Sequence, residues 1–316
     1  MNAAGRLAAY GAGLVVAFGG AFAVSNAVVP GSAVHAWQQE SQAPGHGTHR
    51  PDAAAPELPG LSLSQNGYLL SEVSAPGAVD VDGVLRFRIH TASGTPLTTF
   101  ATTHDRDLHL IVVRADGSQF RHVHPTLDAA TGTWSIPWRW RAAGTYRVFT
   151  DFQPADAPAA PKLTLTRSVE VAGAFTPVDP GIARTVDQVA GYTVTLAGDL
   201  VAGATRNLAA TVSRNGTPVT NLQPYLGAFG HLVALRGGDL AYLHVHPEGS
   251  EPTPGQTGGP TISFAAEAPT PGKYLLYLDF QIDGTVRTAT FVVDAQSGDG
   301  SQPAGGQRDD SHAGTH

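Results

Sequence analysis

The sequence predicts an all-β protein, with two tandem immunoglobulin-like β-sandwich domains after an N-terminal transmembrane or signal helix. Three observations predict this fold class. Short runs of alternating apolar and polar residues are separated by turns rich in glycine and proline. No stretch beyond the N-terminus has helical periodicity or helix caps. The same motifs occur twice, in the same order, along the 316 residues.

The N-terminal segment carries the one apolar run long enough to reach across a bilayer. Leu7–Val29 contains no charged side chain, Arg6 precedes it, and no Lys or Arg follows until Arg50. A helix of about 20 apolar residues spans a bilayer, and this charge asymmetry directs the rest of the chain outward. We favour a single-pass anchor in the cell membrane. The alternative is a secretory signal, cleaved near Ser25–Ala27 or Val34–Ala36.

Changes of composition divide the chain into five parts. The predicted domains are an anchor or signal segment at 1–36, a flexible Gln-, Ala-, Pro- and Gly-rich linker at 37–60, a first sandwich at 61–174, a second at 175–296, and a disordered His-containing tail at 297–316. We call the two sandwiches repeat 1 and repeat 2.

Seven short strands are predicted in repeat 1, which is the pattern of an immunoglobulin-like sandwich. They are Tyr68–Val73, Val84–Thr91, Leu108–Arg114, Phe120–His124, Thr133–Trp140, Thr145–Gln153 and Leu163–Val171. In the second of them, Leu85, Phe87 and Ile89 alternate with arginines, as expected of a strand with one buried face. Before the sixth, Gly144-x-Tyr146 stands where a tyrosine corner would begin.

Repeat 2 is recognised by aligning His109 with His231. The Gly-Thr-Pro sequence at 94–96 then matches the same sequence at 216–218, and Asp-Phe-Gln at 151–153 matches Asp-Phe-Gln at 279–281. Gly272-x-Tyr274 repeats the tyrosine-corner motif. A period of about 120 residues indicates tandem domains, because the repeats of solenoids are shorter.

The third and fourth predicted strands form the most informative stretch, a hairpin that carries three histidines. Asp116-Gly117 predicts a two-residue type I′ turn. The resulting register places His109 opposite His124, with His122 two positions away on the same face. Because this face is otherwise apolar and uncharged, we predict that it points into the sandwich and gathers the imidazoles at one end.

The same trio recurs in repeat 2 around a predicted turn at Gly238-Asp239. Paired positions across a hairpin lie about 5 Å apart, so three imidazoles can converge on one ion at metal–nitrogen distances of about 2.0–2.1 Å. Neutral imidazole is a common ligand of Zn(II) and Cu(II). The predicted metal ligands are His109, His122 and His124 in repeat 1 and His231, His244 and His246 in repeat 2; further candidates are His104, Asp151 and Asp279.

The composition narrows the chemistry and the partners. Cysteine is absent and Met1 is the only methionine, which excludes disulfides, thiolate metal sites and a thioether Cu(I) site. The net charge of −7, without a basic run, argues against nucleic-acid binding. The histidines predict a metal ion as one partner, and the N-terminal helix predicts the membrane as the other. No feature of the sequence identifies a protein partner.

The histidine motifs resemble those of a group of bacterial envelope proteins. The resemblance is carried by residues 109–114, 120–125, 150–153, 223–236 and 244–249, within a similar region that covers roughly residues 60–295. These stretches are similar to uncharacterised secreted or membrane-anchored proteins of high-GC Gram-positive bacteria, described as heavy-metal-binding-domain proteins with two His-rich repeats. The resemblance implies an extracytoplasmic protein and a role in metal binding.

Two functions from different classes remain open. The first is a non-enzymatic, extracytoplasmic protein that binds Cu(II) or Zn(II) with three histidines in each repeat, for metal buffering, delivery or resistance. The alternative is an envelope adhesion or scaffold module whose histidines are structural. No nucleophile motif, phosphate loop or carboxylate pair supports an enzyme. For a zinc hydrolase, Glu248 or Glu251 could supply a base after the second site, whereas the first site has only Asp128 nearby.

Overall fold

The structure is a computed structural model that describes residues 58–157, 159–243, 245–253 and 255–298. The predicted anchor or signal segment, nearly all of the linker and nearly all of the tail lie outside the described residues. In the described part of the chain, no helix is both long enough and apolar enough to cross a membrane.

Repeat 1 is a sandwich of two antiparallel sheets. Its strands are β1 (Ser64–Gln65), β2 (Tyr68–Leu70), β3 (Gly83–His90), β4 (Phe100–Ala101), β5 (Leu108–Arg114), β6 (Arg121–Val123), β7 (Thr126–Asp128), β8 (Thr133–Trp138), β9 (Gly144–Pro154) and β10 (Leu163–Val171). One sheet has the order β1-β2-β3-β8-β7 and the other β10-β9-β5-β6, with β4 beside β9. Each of the seven predicted strands corresponds to one of these strands.

Repeat 2 has the same architecture. Its strands are β11 (Val186–Val189), β12 (Tyr192–Ala197), β13 (Thr205–Arg214), β14 (Thr217–Pro218), β15 (Gly230–Arg236), β16 (Tyr242–Leu243), β17 (Val245–Pro247), β18 (Thr261–Glu267), β19 (Gly272–Ile282) and β20 (Thr285–Ala295). Its sheets have the orders β11-β12-β13-β18-β17 and β16-β15-β19-β20, with β14 beside β13. The prediction of two tandem immunoglobulin-like sandwiches is confirmed.

Both predicted tyrosine corners are present. The Tyr146 hydroxyl donates to the carbonyl oxygen of Ala142 at 2.8 Å, and the Tyr274 hydroxyl donates to that of Thr270 at 2.8 Å. Both tyrosines are buried in the core of their own sandwich. The matching bonds, each four residues back along the chain, show that the two sandwiches are built alike.

A third apolar core lies between the two repeats. Its buried members are Ile111, Val113, Phe149, Val233, Leu235, Leu240, Tyr242, Leu275, Tyr277 and Val292. They come from the sheet β10-β9-β5-β6 of repeat 1 and the sheet β16-β15-β19-β20 of repeat 2, apart from Leu240 in a loop. These two sheets therefore pack against each other by the faces that point away from their own sandwiches.

The contacts in this core repeat across the two halves. Phe120 stacks on Tyr277 with ring centroids 4.0 Å apart, and Phe149 contacts Tyr242 at 6.1 Å. In the repeat alignment Phe120 corresponds to Tyr242 and Phe149 to Tyr277. The same surface of each repeat thus meets its counterpart, as in the self-complementary interface of a two-fold homodimer.

The prediction that the histidine face points into its own sandwich is wrong. Along β5, Leu108, Leu110 and Val112 enter the core of repeat 1, whereas Ile111 and Val113 enter the core between the repeats. Every residue of β5 is buried. A strand that is covered on both faces reads as a continuous apolar run, so its periodicity does not reveal which face points inward.

The predicted type I′ turn of the first hairpin is also wrong. Arg114 N donates to Ser118 O at 2.9 Å, and Gly117 N donates to Arg114 O at 2.8 Å. With Gly117 at a φ of 81°, this is a three-residue loop that ends in a glycine bulge. A second residue of positive φ, Gln119, then restores the predicted register, so that Ile111 pairs with His122.

The second hairpin has a four-residue loop, where a two-residue turn was predicted. Arg236 N donates to Ala241 O, and Leu240 N donates to Arg236 O, both at 2.9 Å. The ladder of β15 pairs Leu235 with Tyr242 and Ala234 with Leu243, which is the predicted register, but it ends there. The chain then passes to the opposite sheet.

We expect Phe149→Ala to lower the free energy of unfolding by about 3–5 kcal/mol, because it opens a cavity between the repeats. Phe149 is fully buried in that core. The measurement is urea unfolding at constant pH. Phe175→Ala is the control, because Phe175 is 41% exposed, and it should cost much less. A similar small loss in both variants would mean that the repeats are only loosely packed.

Candidate metal centre

The first hairpin gathers its three histidines beside repeat 2. His109 lies on β5, His122 lies on β6 opposite Ile111, and His124 follows at the end of β6. The side chain of His109 is on the face that carries Ile111 and Val113, so it points to repeat 2. The predicted pairing of the two strands therefore places the imidazoles together, at the boundary between the domains.

Three ring nitrogens of this trio converge. His109 Nδ1 lies 3.0 Å from His122 Nε2 and 3.2 Å from His124 Nε2. One nitrogen from each ring lies within 4.8 Å of the other two. Tetrahedral ligands at metal–nitrogen distances of about 2.0–2.1 Å are about 3.3 Å apart. Two of the three nitrogen–nitrogen distances are thus close to the spacing of ligands around one ion, and the third is no more than 4.8 Å.

The outer nitrogens of two of these rings are held by acceptors. His109 Nε2 donates to the carbonyl oxygen of Thr103 at 3.0 Å. His122 Nδ1 donates to the carboxylate oxygen Oδ2 of Asp279 at 2.9 Å. A carbonyl or carboxylate oxygen has no proton to give, so each of these imidazole nitrogens carries the hydrogen.

The tautomers fixed in this way create an electrostatic conflict. A neutral imidazole has one N–H, so His109 Nδ1 and His122 Nε2 both present lone pairs to each other. Two lone pairs 3.0 Å apart repel each other. Only a cation between them, or an extra proton on one ring, converts the repulsion into attraction. A positive charge between the two rings, from a metal ion or a proton, would therefore be stabilised by both nitrogens.

Asp279 belongs to repeat 2, so the site is shared between the domains. It lies on β19 opposite His231, and its side chain is 4% exposed. Its second oxygen accepts a hydrogen bond from the Thr288 hydroxyl at 2.6 Å. The structure thus places Asp279 behind His122, away from the three nitrogens. Carboxylates in this position orient a metal-binding histidine and make it a stronger ligand.

His231 and His104 lie beside the trio. The His231 ring stacks on His109 with centroids 5.4 Å apart and planes at 5°, and its centroid is 4.9 Å from that of His122. The His104 ring is 5.6 Å from His231. Burial, followed by the neighbouring imidazoles, holds the pKa of His231 well below its usual value. These two rings extend the cluster without adding a nitrogen to the converging set.

The equivalent arrangement of repeat 2 differs. Asp151, the counterpart of Asp279, pairs with Lys162 Nζ at 2.8 Å and accepts from the Thr164 hydroxyl at 3.1 Å. His246 lies on β17, which pairs with β18 of the opposite sheet, because the β15 ladder ends at Leu243. His244 lies outside the described residues. Within the described ranges, the trio of repeat 1 is the one such converging group.

Burial keeps two of the three rings, His109 and His124, without a proton at neutral pH. Burial and the neighbouring His122 lower the pKa of His109 to about 4. Burial, His122 and His109 lower the pKa of His124 to about 3. Both rings are neutral at pH 7, so a metal ion would not have to displace protons from them.

We expect the metal-free protein to lose stability as the pH falls from about 6.5 towards 3. The usual histidine pKa of about 6.5 applies to the unfolded chain. The folded pKa values of His109 and His124 are about 4 and about 3, so the unfolded state binds more protons in this window. Urea unfolding in chelator between pH 7 and pH 3.5 measures the effect. The variant His109→Gln, His124→Gln should show a flatter pH dependence; an equal slope would contradict the assignment.

The fold and the cluster define a class of protein: a tandem immunoglobulin-like chain whose two domains share a candidate metal centre. The chain belongs to the family described as Domain of unknown function (DUF8832), whose model matches residues 66–169 and 185–297. One match falls in each repeat. That description names neither a metal nor a bacterial group. No curated protein matches the chain.

Several solved structures are similar to the chain at low identity. Invasin, described as a bacterial integrin-binding protein, is 12% identical over 73% of this chain and 39% of its own, with a TM-score of 0.21. The D00-D0 domain of intimin is 12% identical over 71% and 99%, with a TM-score of 0.21. Fibronectin(III)-like modules of Clostridium thermocellum CbhA are 12% identical over 72% and 95%, with a TM-score of 0.19. These likenesses concern the fold alone.

Proposed function

We propose that the protein binds one Cu(II) or Zn(II) ion at His109, His122 and His124, as a non-enzymatic metal-binding protein outside the cytoplasm. The observation that carries the proposal is the 3.0 Å distance between His109 Nδ1 and His122 Nε2, two nitrogens that face each other with lone pairs because the other nitrogen of each ring donates to an oxygen acceptor. A divalent ion removes this repulsion and uses His124 as a third ligand. The extracytoplasmic location is supported by the charge asymmetry around residues 7–29.

The donor set supports these two metals in particular. Three imidazoles suit Zn(II) and Cu(II), and the chain offers no thiolate. The buried Asp279 carboxylate behind His122 supplies a negative charge close to the ion. The ligands come from repeat 1 and this carboxylate from repeat 2, which links metal binding to the packing of the domains. Buffering, delivery and resistance all require such a site.

A structural role for the histidines is the second candidate, and one observation favours it. The His122–Asp279 contact joins the two repeats directly, at 2.9 Å between buried side chains. An imidazolium at His122 would satisfy both Asp279 and His109 with a proton in place of a metal. In that case the chain would be an adhesion or scaffold module, with two rigidly packed sandwiches.

Metal titration of the purified, chelator-treated protein separates the two candidates. We expect one tightly bound equivalent of Zn(II) or Cu(II) by isothermal titration calorimetry, lost in His124→Ala and retained in His246→Ala. His246 is the matched control because it holds the same position in repeat 2 and lies on a different sheet. No binding, or binding that His124→Ala leaves intact, would favour the structural role. A second equivalent that depends on His246 would instead support the predicted site in repeat 2.

A further inference from the structure

One side of the trio is closed by protein and the other faces a pocket. His109 is fully buried, and the His122 side chain has no exposed surface. His124 is partly exposed. A shallow pocket of about 510 Å³ opens beside them, lined by His122 and His124 together with Arg106 and Tyr225. His124 is the member of the trio that is partly exposed, so an ion held by the three nitrogens would be reached from the pocket past His124.

Two of the side chains that line this pocket beside the histidines, Arg106 and Tyr225, are hydrogen-bond donors. The Arg106 guanidinium donates to the carbonyl oxygen of Asp105 at 3.1 Å and forms no ion pair with a carboxylate of the described chain. The Tyr225 ring is 6.4 Å from that of His124, and its hydroxyl makes no hydrogen bond to a described residue. No aspartate or glutamate lines the pocket. A positive charge and an unbonded hydroxyl thus lie on the side of the trio from which a bound ion could be reached by a ligand.

Both domains are needed to build this arrangement. Arg106 lies in the loop before β5 of repeat 1, and Tyr225 lies in the corresponding loop before β15 of repeat 2. Both loops make equivalent tight turns, because Thr103 bridges to Arg106 and Tyr225 bridges to Ala228. The same turn therefore presents a charged side chain on one side of the pocket and a hydroxyl on the other.

We propose that the metal ion keeps an exchangeable fourth position in this pocket and that the position binds a small oxyanion. This inference rests on the proposed function, since the ion supplies the first contact. An oxyanion such as acetate, bicarbonate or phosphate would place one oxygen on the metal and accept hydrogen bonds from Arg106 and Tyr225. Charge-assisted hydrogen bonds to a guanidinium are among the strongest that proteins form.

The test uses the full-length protein loaded with one equivalent of Cu(II). Acetate, bicarbonate and phosphate are titrated separately while the Cu(II) absorption and electron paramagnetic resonance spectra are recorded. We expect a saturable spectral change with at least one of the three anions. The anion that binds most tightly identifies the class of oxyanion that the pocket prefers. Arg106→Gln should weaken that anion roughly tenfold or more, the effect of losing one hydrogen bond from a charged group. Its Cu(II) affinity should stay unchanged.

Two further variants make the outcome specific. Arg86→Gln removes the same charge from an exposed position on β3 and should leave anion binding as it is. Tyr225→Phe removes only the hydroxyl and tests the second donor if Arg106→Gln folds poorly. Copper binding without an anion-dependent spectrum, or equal anion affinities in all variants, overturns this inference and leaves the proposed function standing. Copper binding that does not depend on His124 overturns both.

Discussion

His122→Ala is expected to abolish tight metal binding at the centre and to destabilise the metal-free protein by about 3–5 kcal/mol. Loss of one of three ligands should cost more affinity than the roughly 10- to 100-fold that follows loss of an outer hydrogen-bond partner. The stability loss arises because the buried Asp279 carboxylate is left without its imidazole donor. Calorimetric titration gives the affinity, and urea unfolding in chelator gives the stability.

The same variant separates a metal site from a structural ion pair. Metal at a free concentration of 100 times its Kd should stabilise the parent protein by about 2.7 kcal/mol and should not stabilise His122→Ala. The double variant His122→Ala, Asp279→Asn should recover part of the lost stability, because a neutral amide at position 279 is cheaper to bury than a carboxylate. Strictly additive losses would show that the two side chains do not interact.

Asp279→Asn is expected to weaken metal binding about 10- to 100-fold while all three ligands remain. The carboxylate holds the hydrogen on Nδ1 of His122 and so keeps the lone pair of Nε2 towards the ion. An asparagine at this position can present its amide group to Nδ1 and favour the other tautomer, and it removes the negative charge that offsets the cation. Affinity is measured by competition with a coloured chelator.

Asp151→Asn is the matched control for that experiment. Asp151 holds the equivalent position in repeat 1, is equally buried, and is bound by Lys162 and Thr164. Its carboxylate makes no hydrogen bond to a side chain of the trio, so its replacement should leave metal affinity within about twofold of the parent, even where it changes stability through the lost ion pair. Equal losses of affinity in both variants would show that general destabilisation, and not the orientation of His122, explains the effect.

Much of the fold follows from local patterns in the sequence. Apolar alternation at Leu85, Phe87 and Ile89 sets which face of β3 enters the sandwich, and these residues lie in the core of repeat 1. The Gly-x-Tyr motifs located both tyrosine corners. The hairpin register that gathers the histidines was also predictable, although the turn type was not, since a bulge at Gly117 and a positive φ at Gln119 compensate each other.

The core into which the histidine face packs could not be predicted in this way. β5 is buried on both faces, and its apolar residues pack into two cores. The alternation along the strand therefore does not indicate which face points into its own sandwich. The contribution of Asp279 could be suspected from the repeated Asp-Phe-Gln motif, but its contact with His122 joins residues 157 positions apart. The carbonyl of Thr103 and the donors Arg106 and Tyr225 lie in loops, where neither hydrophobic periodicity nor ligand spacing gives a signal.

The sequence by itself determined two all-β sandwiches, the alignment of one with the other, and a trio of histidines on one face of a hairpin. These features depend on contacts between near neighbours along the chain, which leave a periodic pattern. Only the tertiary structure decided that the two sandwiches pack by equivalent sheets and that one domain supplies the histidine trio while the other supplies the carboxylate behind His122. It also showed where the copies differ: β6 keeps its ladder with β5 through Val123, whereas the chain of repeat 2 leaves β15 after Leu243. Packing between distant surfaces sets these features, and it has no periodic signature in the sequence.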